Sequence, residues 1–284
     1  MRISEAIRFA TELLASSGVE NPRREASLLL STSINRDMAF LIAHPDYELS
    51  EQELNLFRQY SLRRAKREPF QYICGYQEFY GLKFSVSRDV LIPRPETELI
   101  VEQAIRFLQI RETRQFCDIG IGSGCISIAI LKHVPDSFGI GCDVSKRALE
   151  LARKNAQMHG VADRLRLIVS DILLNVDISN GFDLIVSNPP YISKSEFPNL
   201  QPEVRDYEPR LALLGGEDGL EIIQKLILQA KRALKPGGKL IMEIGYDQAN
   251  AVSNILQESG WNDVDFIADL RGFLRVAVAT KPPL

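Results

Sequence analysis

The chain has 284 residues, 45% hydrophobic and 25% charged, a balance that supports a sizeable buried core and excludes a disordered or fibrous polymer. No apolar run approaches the roughly 20 residues of a membrane span, and charges interrupt the first 18 residues, so neither an anchor nor a signal peptide is expected there. Net charge is −3 at pH 7, with 13 basic against 12 acidic residues up to position 95 and 21 against 25 beyond it, which counts against dedicated nucleic-acid binding.

Residues 1–67 read as helix after helix: 3–16, with Ile7, Ala10 and Leu14 on one face, then 22–34, 38–43 and 50–67, punctuated by Gly18, Asn21-Pro22 and His44-Pro45. Between 70 and 92 the pattern becomes an alternation of aromatic and β-branched residues broken at Gly75 and Gly81, which predicts a β-hairpin. Helical periodicity returns over 96–109. From Gln115 onward strands alternate with helices, as in a wound α/β sheet. The strands fall at 115–119, 139–144, 165–169, 182–187, 239–244, 264–267 and 274–279. The last two are joined by ADLRGF, too short for a crossover helix, and must run antiparallel. The expected architecture is α/β: a helical domain over 1–69, a β-hairpin connector over 70–95, and a seven-stranded, mostly parallel sheet domain over 96–284.

Chemistry is concentrated at predicted strand ends. Asp118-Ile119-Gly120-Ile121-Gly122-Ser123-Gly124 lies between a strand and an apolar helix, where glycines let backbone N–H groups approach a ligand. Its spacing fits a dinucleotide fingerprint poorly, since Cys125 occupies the third glycine position. Asp143 ends the next strand, placed to accept both hydroxyls of a ribose or, more simply, to cap the following helix, and Asp171 ends the third. After the fourth comes Asn188-Pro189-Pro190-Tyr191. Two prolines remove two donors and fix φ, so the carbonyls of Asn188 and Pro189 stand as rigid acceptors. With the Asn188 side chain and the flat Tyr191 ring they suit a planar group bearing an NH₂.

The DIGIGSG loop, Asp143 and NPPY together resemble a class I S-adenosylmethionine-dependent methyltransferase acting on a planar nitrogen. LIPRPETE at 91–98, VRDYEP at 204–209 and GGEDGL at 215–220 narrow the likeness to the HemK/PrmC family, the peptide chain release factor N5-glutamine methyltransferases. The resemblance implies that Gly120, Ile121, Gly122, Ser123, Gly124, Asp143, Asp171, Ile172 and Asn188 bind S-adenosyl-L-methionine, with the adenine beside Asp171-Ile172. Where some members carry an aromatic residue, this chain has Ile172. It further implies that Asn188, Pro189, Pro190 and Tyr191 hold the glutamine of the Gly-Gly-Gln loop of class 1 release factors, with Asn188, Pro189 and Tyr191 as catalytic residues. Such an enzyme needs no metal, serves translation termination and works in the cytoplasm.

Other features are weaker. Arg58, Arg63, Arg64, Lys66 and Arg67 share a predicted helix and are expected to form a solvated face, with an RNA or acidic partner as the alternative. Pro95 favours helix capping as the first job of Glu96, Thr97 and Glu98, closure over the site being the other. His44, His133 and His159 read as non-catalytic. Cys74, Cys117, Cys125 and Cys142 stand at no zinc-like or CxxC spacing and read as small hydrophobes in a reducing cytoplasm. Two competing readings remain, a nucleic-acid methyltransferase acting on adenine N6 or guanine, and a non-catalytic cofactor-binding module. The first lacks a basic recognition region, and the second has no need of NPPY.

Overall fold

The computed structural model describes residues 1–283 and divides by internal contacts into two compact units. One comprises residues 1–76 together with 201–207, the other residues 77–200 and, among the described residues, those from 208 on. No helix among the described residues is long and apolar enough to cross a membrane.

The first unit holds α1 (Ile3–Ser16), α2 (Pro22–Ile34), α3 (Met38–Ala43), α4 (Glu51–Ala65) and α5 (Phe70–Cys74) around a core of Ile3, Ala10, Leu14, Leu29, Leu30 and Phe57. Ser50 and Glu53 close a reciprocal capping box at the start of α4, and Asp37 caps α3 by accepting from the Phe40 N–H at 2.8 Å. The hairpin expected to begin at residue 70 begins later. Pro69 starts a short helix and Gly75, at φ 81°, ends it in the left-handed region, so Ile73 joins the helical core.

The basic cluster is a solvated face only in part: Arg58 and Lys66 are exposed, but the other three cations are paired. Arg64 is 7% exposed and pairs with Glu25 and Glu203, each at 2.9 Å. Arg67 reaches the same Glu203 at 2.7 Å, and Arg63 pairs with Glu68 at 2.9 Å. Glu203 lies on α9 (Pro202–Tyr207), whose Tyr207 hydroxyl also donates to the Lys66 carbonyl, and this short helix belongs to the helical unit. Three of the five cations are therefore spent on internal ion pairs.

The second unit begins at Gln77, within the hairpin of β1 (Tyr76–Phe79) and β2 (Leu82–Ser85). It continues through α6 (Glu98–Gln109), β3 (Gln115–Ile119), α7 (Cys125–His133), β4 (Phe138–Asp143), α8 (Lys146–Met158), β5 (Leu165–Val169), β6 (Phe182–Ser187), α10 (Glu221–Ala233), β7 (Leu234–Glu243), α11 (Ala249–Glu258), β8 (Asn262–Ala268) and β9 (Leu274–Thr280). The seven strands lie in the order β5-β4-β3-β6-β7-β9-β8. The pairs from β5 to β7 are parallel, and β9 runs antiparallel to both β7 and β8, as the short ADLRGF connection requires. β7 starts five residues earlier than the expected 239, because Leu234 pairs with Phe182 before a bulge restores register at Leu184 and Lys239. Apolar clusters centred on Phe116, Ile128, Ile130 and Leu184, and on Ile185, Ile227, Leu240 and Met242, bury β3 and β6, as the unbroken apolar runs of these central parallel strands require.

Candidate active site

The chain leaves β3 toward β4 and β5 on one side and returns through β6 toward β7 on the other. The switch point between β3 and β6 is where open α/β sheets bind ligands, at the carboxyl ends of the strands. Ile119 pairs with Ser187 and Cys142, and Asp143 with Val169. Gly120, Asp143, Asp171 and Asn188 therefore emerge from one edge at nearly one level.

The glycine loop folds back on β4: the N–H groups of Gly120 and Ile121 both donate to the Cys142 carbonyl, at 2.9 and 3.0 Å. Its three glycines differ in purpose. Gly120 (φ 72°) has nothing within 4 Å of where a side chain would start, so its backbone faces open space. Gly124 would meet Ile128 at 3.0 Å and Ala152 at 3.3 Å, so it serves helix packing. Ile121 is buried in the core, leaving only its main chain for a ligand. Ser123 is 3% exposed, and its carbonyl accepts from Asn155 at 2.8 Å. Asn155, fully buried on α8, also exchanges hydrogen bonds with the Ser85 backbone at 2.9 and 3.1 Å, so one amide fixes the loop and the hairpin together.

Asp143 accepts from the Gly122 N–H at 3.0 Å and the Ser145 N–H at 2.9 Å, one bond to each oxygen, while Ser145 itself caps α8. Each oxygen keeps a lone pair, and burial raises the Asp143 pKa against the lowering effect of those bonds. At the tip of β5, Asp171 is exposed, and Ile172 is buried with φ 52°, an uncommon conformation for a β-branched residue. Its side chain packs in the core with Cys142 and Ile119. Ile172 thus turns the chain at the edge without presenting a side chain there.

Asp118, the first residue of the glycine motif, carries no local sequence signal of a role at the site. This carboxyl is fully buried beneath the loop. Ser127 donates to Oδ2 at 2.7 Å, Oδ1 has no partner among the described residues, and burial raises the pKa to about 7. A buried carboxyl oxygen left unpaired beside a glycine loop can be satisfied by a proton or by a bound cation.

NPPY is braced from behind. The Tyr191 carbonyl accepts from Gln248 Nε2 at 3.0 Å, and Ile192 exchanges backbone hydrogen bonds with Leu213 and Gly215, each at 2.9 Å. A Cβ on Gly215 would lie 2.6 Å from the Pro190 carbonyl, and one on Gly219 2.2 Å from the Tyr191 carbonyl, which explains the glycines of GGEDGL. PRPETE and DYEP meet as well: Arg94 pairs with Glu208, whose other oxygen accepts from the Ile92 N–H at 3.1 Å.

Thr97 makes no side-chain cap. Its hydroxyl donates to Glu243 at 2.6 Å and accepts from Asn188 Nδ2 at 3.1 Å, which replaces the expected capping role with one at the site. Glu98 accepts from the Tyr80 N–H at 2.7 Å. The Tyr191 hydroxyl donates to the other Glu243 oxygen at 3.1 Å; burial and that carboxylate push the phenol pKa far up, so it stays protonated. The imidazoles of His133 and His159 contact the carbonyls of Ala129 and Lys83, each within 2.9 Å, and neither is engaged with these groups.

Comparison with known proteins places this geometry. Residues 5–75 match the PrmC N-terminal domain and residues 97–201 the methyltransferase small domain. The chain is 41% identical over 283 residues to the release factor glutamine methyltransferase of Koribacter versatilis (strain Ellin345), covering 99% of each. It is 42% identical over 274 residues to the release factor glutamine methyltransferase of Geobacter sulfurreducens, covering 96% of this chain and 95% of that one. A methyltransferase from Pyrococcus furiosus shares the fold, with TM-score 0.55 and 22% identity over 78% of this chain and 99% of that chain. With both family models matched and relatives at 41% and 42% identity covering 99% and 96% of its length, the chain belongs to the release factor glutamine methyltransferase family.

Proposed function

We propose that this protein transfers the methyl group of S-adenosyl-L-methionine to the side-chain amide nitrogen of the glutamine in the Gly-Gly-Gln loop of class 1 release factors, in support of translation termination in the cytoplasm. The observation that carries the reading is the pairing of the glycine loop with NPPY on adjacent parallel strands, in register at Ile119 and Ser187.

The groups at this edge fit the cofactor. Asp118 Oδ1 is a buried acceptor without a partner among the described residues, suited to the ammonium of the methionine moiety, and Asp143 accepts one bond on each oxygen, leaving a lone pair on each for the two ribose hydroxyls. Gly120 and Gly122 leave the loop backbone open to the same ligand, and the turn at Asp171-Ile172 is assigned to the adenine. When bound, the cofactor supplies a methyl group on a positively charged sulfur that retains the electron pair as the methyl departs.

The protein's own task is the amide. Its nitrogen is a poor nucleophile because the lone pair is delocalised into the carbonyl. Asn188 Oδ1 and the Pro189 carbonyl accept the two N–H bonds and turn the nitrogen face toward the methyl. These bonds strengthen as the nitrogen becomes positive, so they favour the transition state over the ground state. The Pro189 carbonyl takes no hydrogen bond from the described residues, and the ring of Pro190 keeps any N–H from that position. Tyr191 and Pro190 wall the glutamine, and fixed alignment supplies much of the remaining acceleration. The nitrogen then sheds its extra proton to water.

The test offers labelled cofactor to intact release factor, to the factor with that glutamine changed to alanine, to duplex DNA and to ribosomal RNA. Label is expected on the intact factor alone. Equal labelling of the alanine variant, or faster labelling of either nucleic acid, contradicts the proposal.

A further inference from the structure

We infer that Glu243 is a positioning residue for methyl transfer: through the Thr97 hydroxyl it sets the Asn188 side-chain amide so that Oδ1, and not Nδ2, is left for the incoming glutamine. The inference rests on the function proposed above, in which Asn188 accepts from the substrate. Glu243 ends β7, Thr97 precedes α6, and each is 2% exposed. Two hydroxyls converge on the carboxylate, Thr97 on Oε2 at 2.6 Å and Tyr191 on Oε1 at 3.1 Å.

Burial raises the Glu243 pKa while the hydroxyls of Thr97 and Tyr191 lower it; ionised, the carboxylate only accepts, and Thr97 commits its single proton to it. The remainder of the Thr97 oxygen offers lone pairs alone, and the Asn188 atom 3.1 Å away must then be a donor, Nδ2. The amide turned over would set two acceptors against each other. Donation runs from Asn188 to Thr97 to Glu243, and its direction is fixed at the buried end. Tyr191 donates to the same carboxylate, so one group from a neighbouring strand holds both polar side chains of NPPY. A glutamine at 243 would keep the shape but offer one acceptor in place of two, so the Thr97 and Tyr191 hydroxyls compete for it and the direction of donation is no longer fixed.

The experiment measures kcat and KM for methyl transfer to intact release factor in the wild type and in Thr97→Val, Thr97→Ser and Glu243→Gln, with cofactor affinity by calorimetry and Tm as a check on folding. Thr97→Val and Glu243→Gln are each expected to lower kcat by about 10-fold to 100-fold while the cofactor still binds, the range for a misaligned transition-state acceptor. Thr97→Ser keeps the hydroxyl and is expected to restore most of the loss. In an Asn188→Ala background, Thr97→Val should change turnover by no more than about twofold, because its effect passes through Asn188. A fully active Thr97→Val, a Thr97→Ser as poor as Thr97→Val, or full additivity with Asn188→Ala overturns the inference while leaving the function standing. A Glu243→Gln chain that folds and turns over normally overturns it equally. A wild type that transfers no methyl to glutamine overturns the functional reading and this role with it.

Discussion

Ser127 Oγ lies 2.7 Å from Asp118 Oδ2, while Oδ1 of the same buried carboxyl has no partner among the described residues. With its pKa raised to about 7, chiefly by burial, Asp118 holds a proton in the free protein below that pH. A ligand ammonium at Oδ1 favours the ionised form, so cofactor binding should release a proton. Affinity should fall by up to about tenfold for each pH unit below 7. Titration calorimetry in buffers of different ionisation heat counts the proton. Asp118→Asn should abolish both the release and this pH dependence.

Asn188→Ala removes the side-chain acceptor and is expected to lower kcat by about 10²-fold or more, as loss of an aligned transition-state partner does elsewhere. Tyr191→Phe keeps the ring and leaves Glu243 one donor short, so it should cost less than Tyr191→Ala. Steady-state kinetics on intact release factor orders the variants, and a Phe variant as inactive as the Ala variant would contradict the role of the ring as a wall.

Gly219→Ala should damage the site from outside it. The new methyl would sit 2.2 Å from the Tyr191 carbonyl at φ 79°, so NPPY itself must shift. Gly160→Ala, at φ 68° with nothing within 4 Å among the described residues, bears only the left-handed backbone penalty of about 1 to 2 kcal/mol. Turnover, with circular dichroism as a check on folding, should collapse in the first and persist in the second.

What the sequence showed and what it hid divide by range. Strands at 115–119, 165–169 and 182–187, and the antiparallel end of the sheet, follow from local pattern and connection length, and the structure has them there. Phe70 to Cys74 imitates a strand in its alternation, but Pro69 and Gly75 make it a helix. Thr97 reads locally as part of a helix start, and only pairing with Glu243, 146 residues away, reveals its place at the site. The arginines of α4 look like a solvated face because Glu203, 139 residues beyond Arg64, is invisible to any local window. Asp118 opens the glycine motif, and nothing but burial distinguishes it from a capping acid.

Glu203→Gln should destabilise the helical unit. It takes one charged partner from the buried Arg64 and the main partner from Arg67, while Arg64 keeps Glu25. About 1.5 to 3 kcal/mol is expected for charged hydrogen bonds of this kind. Chemical denaturation measures the loss, and an unchanged midpoint and slope would show these pairs to be energetically idle.

The most direct measurement locates the methyl group. Release factor incubated with the protein and S-adenosyl-L-methionine is digested, and the Gly-Gly-Gln peptide is fragmented by tandem mass spectrometry. The expected product carries one added methyl on the glutamine side-chain amide, absent when Asn188→Ala replaces the wild-type enzyme. A methyl on any other residue, or an unmodified glutamine after full exposure to active, cofactor-loaded protein, would contradict the proposed function.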